Sequence, residues 1–295
     1  MAYYSQDGDT LSPPGRAARL LNDHEESRLV CDGSGHCVLE QRPLMPAVHA
    51  WLENHHVNDW QRDGNTLLWY VAARFGEMYD EYLESRETEA VSAEDLVEIA
   101  RDLLARGADP NAAKGHILMA ACDGDCPELM VPLLCEAGAD PNLWKAPWGE
   151  TPLSMILRDR LWNGPTYAKI HEIARALLRS GAKLDACLTR PQDGKEESAE
   201  DLLQAHEETM REDFPELGPE SATVRQFVAI KGLVHGVRAA KGSYARYVKK
   251  ELLVLRALVR KRRATTADDN QRTAFDILAR SPDEIAWRIL GFRRW

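Results

Sequence analysis

The sequence predicts an all-α repeat fold, a solenoid made of stacked helix pairs. The first observation is a phrase written twice, "LLARGADPN" from Leu103 and "LLCEAGADPN" from Leu133. The second is a recurrent helix start between such phrases, clearest in "GETPLSMIL" from Gly149. Self-similarity at a spacing of about 20–50 residues is the usual sequence sign of a repeat architecture.

The repeated phrase predicts the end of a helix followed by a tight turn. Gly107 and Gly138 stand just past the last apolar positions, where glycine supplies the left-handed backbone that closes a helix. Weaker copies read "LLRSGAKLD" from Leu177 and "AWLENHHVN" from Ala50. In the second, Asn54 takes the place of glycine, and we expect the left-handed conformation there because asparagine tolerates it.

The helix starts carry their own signal. In "GETPLSMIL", Thr151 is placed to cap a helix whose first residue is Pro152, where a missing N–H is harmless. Similar starts occur in "DGNTLLWYVAARFG" from Asp63 and "QRTAFDILA" from Gln271. A weaker echo, "ESAEDLLQA", begins at Glu197. We expect a helix to begin in each of these stretches.

This combination of turn, Thr-Pro-Leu helix start, second helix and Gly-Ala-Asp turn resembles the ankyrin repeat. The resemblance covers about Trp51 to Ala186 and returns from Arg272 onward. It implies a helix-turn-helix stack with β-hairpin fingers and a period of about 33 residues. The period here is irregular, since successive turn glycines are 31 and then 43 residues apart.

A stack of this kind requires apolar positions that recur from one helix pair to the next, because a single pair cannot bury its apolar face alone. We expect the leucine pairs before the turns to lie at equivalent positions and to form this shared core: Leu103, Leu104, Leu133, Leu134, Leu177 and Leu178. Small residues indicate where helices approach closely: Ala72, Ala73, Ala120 and Ala121.

The chain is predicted to have four parts. Residues 1–43 contain a β-hairpin around "RLVCDGSGHCVLE", and residues 44–203 form the repeat stack. The stack carries insertions at 77–95 and 158–166. The first has eight acidic residues, which suit a solvated helix face or a binding surface, and Ser92 is placed to cap the following helix. Residues 204–270 form a basic helical segment, and 271–295 form a last ankyrin-like repeat or an F-box-like cap.

Charge is divided unequally along the chain. From Ser221 onward 17 Lys and Arg stand against 6 Asp and Glu, although the whole chain has a net charge of −10. A helix with apolar residues at Val248, Leu252, Leu255 and Val259 carries a basic patch of Lys249, Lys250, Arg260, Lys261, Arg262 and Arg263. The patch suits docking against the acidic repeats. It also suits a membrane surface, calmodulin or nucleic acid, and "RKRR" suits nuclear import.

The C-terminal stretch "SPDEIAWRILGFRRW" from Ser281 resembles the opening of an F-box, and so a PRANC-like end. That resemblance implies contact with a Skp-type adaptor of a cullin-RING ubiquitin ligase, for which the chain would be a substrate receptor. Ser281 replaces the leucine expected there. The alternative is that Asp283 to Leu290 is the second helix of a terminal repeat.

No cofactor, catalytic or metal site is predicted. Cys31, His36 and Cys37, with His24, could hold zinc, but their spacing fits no familiar zinc pattern. Phosphate-binding loops and serine elbows are missing from the sequence. An enzyme that uses a Cys/His site assembled only by the fold is the alternative from another class, and we expect instead that the chain is not an enzyme.

The predicted partner-binding residues lie in the fingers. The residue two beyond each repeat's asparagine is Trp60, Ala113 or Trp144. Tryptophan is enriched at binding hot spots, so we expect a docking surface for another protein made of Trp60, Arg62, Trp144, Lys145 and Trp148. The alternative is that these rings pack on neighbouring fingers or on the N-terminal hairpin.

The resulting expectation is a protein–protein interaction module, an adaptor or scaffold that binds through finger loops and a concave helical face. The N-terminus has no apolar core, so we expect no signal peptide, and no apolar run is long enough to span a membrane. Six scattered cysteines indicate reduced thiols. We therefore expect a cytoplasmic protein that could also enter the nucleus.

Overall fold

The structure is a computed structural model, and it describes residues 28–31, 37–40, 44–59, 65–73, 93–112, 116–124, 126–143, 149–161, 166–185, 188–189 and 196–265. These residues are mostly helical, which confirms the all-α class that the sequence predicts. In these ranges no helix is both long and apolar enough to cross a bilayer. The chain divides into two compact units, Met1–Lys231 and Gly232–Trp295.

Ten helices occur in the described ranges: α1 Leu44–Leu52, α2 Leu67–Ala73, α3 Ala93–Ala105, α4 His116–Asp123, α5 Pro127–Glu136, α6 Pro152–Met155, α7 Tyr167–Arg179, α8 Ala199–Asp213, α9 Ala222–Ala239 and α10 Tyr244–Thr265. Helix α6 continues as a π-helical turn over Ile156–Arg160. The predicted domain boundary after residue 203 falls within α8, and the division between the two units falls within α9.

Two small antiparallel sheets complete the described secondary structure. Strands β1 (Arg28–Cys31) and β2 (Cys37–Glu40) pair with Cys31 opposite Cys37, so the N-terminal hairpin lies where the sequence predicts it. Strands β3 (Leu188–Thr189) and β4 (Glu196–Glu197) precede α8.

Helix ends follow the predicted turn chemistry. The glycines after α3, α5 and α7 have φ of +90°, +92° and +97°. The alanine after each glycine is buried, and its N–H donates to a carbonyl five residues earlier. The prediction for Asn54 is wrong, since Lys241 is the one non-glycine residue with positive φ in the described ranges.

Two helix starts are fixed by reciprocal side-chain caps. The hydroxyl of Thr151 accepts a hydrogen bond from the N–H of Ser154, and the Ser154 hydroxyl accepts one from the Thr151 N–H. Ser198 and Asp201 form the same arrangement at the start of α8. Because both donors of the exposed first turn are satisfied in this way, each helix begins at one defined residue.

Helix contacts in the first unit follow a regular order. Helix α1 contacts α3, α3 contacts α5, and α5 contacts α7. Likewise α2 contacts α4, α4 contacts α6, and α6 contacts α8. The pairs α2–α3, α4–α5 and α6–α7 link the two series. Each helix from α3 to α6 is therefore packed against helices on both sides of it in its own series.

The leucine pairs are not all equivalent, which corrects the predicted core. The carbonyls that accept from the buried turn alanines belong to Leu103, Leu134 and Leu177, and these three leucines are fully buried. Leu104 and Leu133 are partly exposed instead. The phrase from Leu133 has one more residue before its glycine than the phrase from Leu103, so the glycine sets the register and not the first leucine.

The close approach predicted from the alanines occurs between α2 and the end of α4. A Cβ atom on Gly124 would lie 2.8 Å from the carbonyl oxygen of Ala72 and 3.0 Å from that of Ala73. Ala72 and Ala121 are buried. Only a residue without a side chain fits at position 124 while α4 keeps its place against α2.

In the second unit, a turn over residues 240–243 separates α9 from α10. Lys241 has φ of +58° and Gly242 has φ of +71°, and the Gly242 N–H donates to the Val237 carbonyl at 3.0 Å. Gly236 lies so close to the ring of Tyr247 that a side chain at position 236 would overlap that ring. Val248 and Leu252 are buried on α10.

We expect Gly124→Ala to lower the free energy of unfolding by about 1–3 kcal/mol, because the added methyl group forces α4 away from the carbonyls at the end of α2. Urea unfolding followed by circular dichroism measures this change. Gly218→Ala is the matched control, since no heavy atom lies within 4 Å of a Cβ there. Equal stability of the two variants would contradict the close approach.

Candidate functional site

All five predicted partner-binding residues lie outside the described residues: Trp60, Arg62, Trp144, Lys145 and Trp148. The same holds for the F-box-like stretch at 281–295, for most of the acidic insertion at 77–95, and for His24 and His36 of the zinc alternative. The turns that precede two of the tryptophans are described, however. Asn58 stands two residues before Trp60, and Asn142 stands two residues before Trp144.

These turns are joined to one another by an asparagine ladder. In each rung, Nδ2 of an asparagine donates to the carbonyl oxygen of the next turn's glycine, and Oδ1 accepts from the N–H two residues beyond that glycine. The rungs are Asn58 with Gly107 and Asp109 (3.0 and 2.8 Å), Asn111 with Gly138 and Asp140 (3.1 and 2.7 Å), and Asn142 with Gly181 and Lys183 (3.1 and 2.9 Å).

Each asparagine is also held within its own turn. The carboxylate of Asp109 accepts from the N–H of Asn111 at 2.9 Å, and that of Asp140 accepts from the N–H of Asn142 at 2.9 Å. In the first turn His56 replaces aspartate, and its Nδ1 accepts from the Asn58 N–H at 3.2 Å.

The ladder requires asparagine for a chemical reason. A carboxamide carries its donor and its acceptor on two separate atoms, so it can donate to a carbonyl and accept from an N–H at once, whereas an ionised carboxylate can only accept. Asp185 occupies the equivalent position in the fourth turn, four residues after Gly181. An aspartate there lacks the Nδ2 donor with which each of the three asparagines binds the glycine carbonyl of the next turn.

Described residues flank the stretch 144–148 on both sides. Before it, Asn142 makes the third rung. After it, Glu150 is buried and pairs with the half-exposed Arg158 of the π-helical turn, and Thr151 caps α6. A buried carboxylate is stable only with such a partner, so the pair fixes the point at which the chain re-enters α6.

The basic patch is partly described. Lys249 and Lys250 are exposed on α10. Arg260, Lys261, Arg262 and Arg263 lie within the same helix, and their side chains are outside the described set.

A buried histidine links three helices of the first unit. Nε2 of His206 on α8 lies 3.0 Å from the hydroxyl of Tyr167 on α7, and the imidazole ring contacts that of Phe227 on α9. Burial lowers the pKa of His206 to about 4 and raises the pKa of Tyr167. At neutral pH both groups are therefore uncharged, and they form a neutral hydrogen bond inside the helical core.

Three cysteines have described side chains, Cys122, Cys126 and Cys135. Cys122 and Cys126 are buried, and burial raises the pKa of Cys135 to about 11, so its thiol stays protonated at neutral pH. Within the described ranges, His, Cys, Asp and Glu side chains do not gather in any group of three or more that could hold a metal ion.

The sequence predicts the turns after the helices, but the bonds by which their asparagines join successive turns were not predicted. The buried position of His206 was not predicted either. A signal existed for both. The asparagine recurs four residues after each glycine at Asn111 and Asn142, and the same spacing from the Asn54 position leads to Asn58. His206 lies on the apolar stripe of α8 with Leu203 and Met210, where a polar side chain requires a partner.

We expect Asn111→Ala to destabilise the first unit by about 1–2 kcal/mol, because two hydrogen bonds to the next turn are lost and each contributes about 0.5–1.5 kcal/mol. Asn111→Asp should also destabilise, since a carboxylate cannot donate to the Gly138 carbonyl. Urea unfolding gives both values. Asn54→Ala is the control on an exposed asparagine, and a loss as large in this control would contradict the ladder.

We expect His206 to make the protein less stable as the pH falls. Its pKa is near 4 when folded and near 6.5 when unfolded, so the unfolded state binds the extra proton between these values. The contribution is complete above pH 6.5 and should fall by about 2 kcal/mol between pH 7 and pH 5. His206→Gln should lack this decrease in chemical unfolding at the two pH values, while the carboxylate titrations stay the same. Parallel pH profiles would contradict the assignment.

Comparison with known proteins identifies no relative of this chain. It matches no protein-family model, no curated protein and no solved structure.

Proposed function

We propose that the chain is an ankyrin-repeat interaction module, an adaptor or scaffold that binds another protein through its finger loops and the adjoining helical face. The asparagine ladder is the observation that carries this proposal. Three rungs with the same donors and acceptors and nearly the same distances join four successive turns, which supports the interpretation of the turns as equivalent units of a repeat.

The order of helix contacts supports a stack. The series α1–α3–α5–α7 and α2–α4–α6–α8 each follow chain order, which is the arrangement expected when helix pairs lie side by side. The buried residues Leu103, Leu134 and Leu177 occupy the same place in three successive second helices. They serve the shared apolar core that such a stack requires.

The ladder also supports the choice of binding residues. Asn58, Asn111 and Asn142 fix the backbone two residues before Trp60, Ala113 and Trp144, so a common spacing along the stack is expected for these three positions. Two large rings on either side of an alanine leave a gap that suits a protruding apolar side chain or a helix of the partner. Arg62, Lys145 and Trp148 are proposed to border this surface.

Two partly or fully buried groups of the described helices are not arranged for catalysis. His206 is neutral and lies within the helical core, and the raised pKa of Cys135 keeps that thiol protonated. General-base and nucleophilic chemistry require groups that a substrate can reach and that change protonation near neutral pH. These two side chains serve packing instead.

The test is affinity purification of the full chain from native cells, followed by mass spectrometry and direct binding of the identified partner. We expect the Trp60→Ala/Trp144→Ala double variant to bind that partner at least about 30-fold more weakly, because hot-spot tryptophans contribute about 2 kcal/mol or more. Isothermal titration calorimetry measures the change.

Leu129→Ala is the control, since Leu129 is exposed near the start of α5, at the opposite end of that helix from the turn. It should bind like the original chain. A folded double variant that binds with unchanged affinity would refute the finger site.

A further inference from the structure

The loop between α8 and α9 exposes an aromatic ring. Phe214 is 46% exposed, which places it among the few large apolar side chains that the described structure leaves in water. Leu217 stands three residues later and is partly exposed. Exposed apolar rings are a usual feature of docking surfaces.

This loop is held in a defined shape. The N–H of Phe214 donates to the carbonyl of Met210 at 3.1 Å, and the N–H of Leu217 donates to the carbonyl of Phe214 at 3.0 Å. Pro215 and Pro219 restrict the backbone further. A turn that is already ordered loses little conformational entropy when it binds, so the ring is presented for docking.

The loop also carries uncompensated negative charge. Glu212, Asp213, Glu216 and Glu220 are exposed, and none of them pairs with a cation in the part of the chain that the structure describes. By contrast, Glu207 on the preceding turn of α8 pairs with Arg211 and Lys231. Two of the four carboxylates lie in the last turn of α8, where the helix dipole disfavours anions.

Helix α10 has the complementary composition on its exposed face. Arg246, Lys249, Lys250, Leu253 and Val254 are all exposed, while Val248 and Leu252 are buried on the opposite side. Leu253 is 57% and Val254 47% exposed. The helix has eight basic residues and one acidic residue, and the three described cations of this face pair with no carboxylate in the described ranges.

We infer that the acidic loop of one copy of this chain docks on the exposed face of α10 of a second copy. Phe214 and Leu217 would pack on Leu253 and Val254, and the loop carboxylates would lie among the cations of α10. The two surfaces match in both charge and apolar content. A second copy therefore supplies the cations and the apolar contact that each acidic loop lacks.

The contact joins two different surfaces, so it differs from a two-fold dimer. Each copy offers one loop and one helix face, and such head-to-tail contacts add further copies unless a ring closes. The association should strengthen with concentration and weaken with salt, because exposed charges are screened. It uses neither the tryptophans nor the fingers, so it can be tested independently of the proposed function.

The test is sedimentation equilibrium of the purified full chain over a wide concentration range. We expect reversible self-association at low ionic strength. Two charge-reversed variants test the contact, Glu216→Lys/Glu220→Lys in the loop and Lys249→Glu/Lys250→Glu in the helix. Each should raise the dissociation constant at least about tenfold, since each reversal places like charges against each other. Glu53→Lys/Glu98→Lys is the control for the loop variant, because it makes the same change in net charge at exposed positions outside both surfaces.

Mixing the two charge-reversed variants gives the sharpest result. The first retains the basic helix face and the second retains the acidic loop, so an equimolar mixture should associate more tightly than either variant alone. Phe214→Ala should weaken the original association without changing the net charge. A monomer at every concentration, an equal loss in the control pair, or variants that stay monomeric when mixed would each overturn the inference.

Discussion

A single chemical constraint organises the first unit, namely that each turn must satisfy the exposed backbone groups of the turn beside it. The left-handed glycine that ends a helix leaves a carbonyl and a nearby N–H pointing away from the helix. One carboxamide forms hydrogen bonds with both groups, as that of Asn111 does with the Gly138 carbonyl and the Asp140 N–H. The buried alanine and leucine on either side of each glycine then follow, because the turn can close only when the helix before it ends in the same register.

The core of the first unit contains a few buried polar groups, and two of them are bonded to a partner on another segment. Glu150 is paired with Arg158 as the chain returns into α6, and His206 is bonded to Tyr167 where α7, α8 and α9 meet. Both are buried polar groups, so a wrong helix position would leave them without partners. They therefore select one arrangement of the later helices, a specificity that leucine contacts alone supply poorly.

Much of the helix plan could be read from local sequence, because caps and turn glycines act within four or five residues. Thr151, Pro152 and Gly138 have the structures that their types and spacing predict. The register of the leucines could not be read in this way, since one extra residue before Gly138 shifts Leu133 out of the core. The predicted roles of Trp60 and Trp144 remain predictions, because a tryptophan's partner is set by distant chain segments and sequence spacing does not reveal it.

The geometry of the ladder does not depend on how many residues lie between successive turns. The bonded partners are 49, 27 and 39 residues apart along the chain, yet the Nδ2 to carbonyl distances stay between 3.0 and 3.1 Å. Extra residues between the helices are therefore tolerated, and the entropy of closing a longer loop grows only slowly with its length. We therefore expect that new sequence, natural or designed, can lengthen the connection within a helix pair without disturbing the turns.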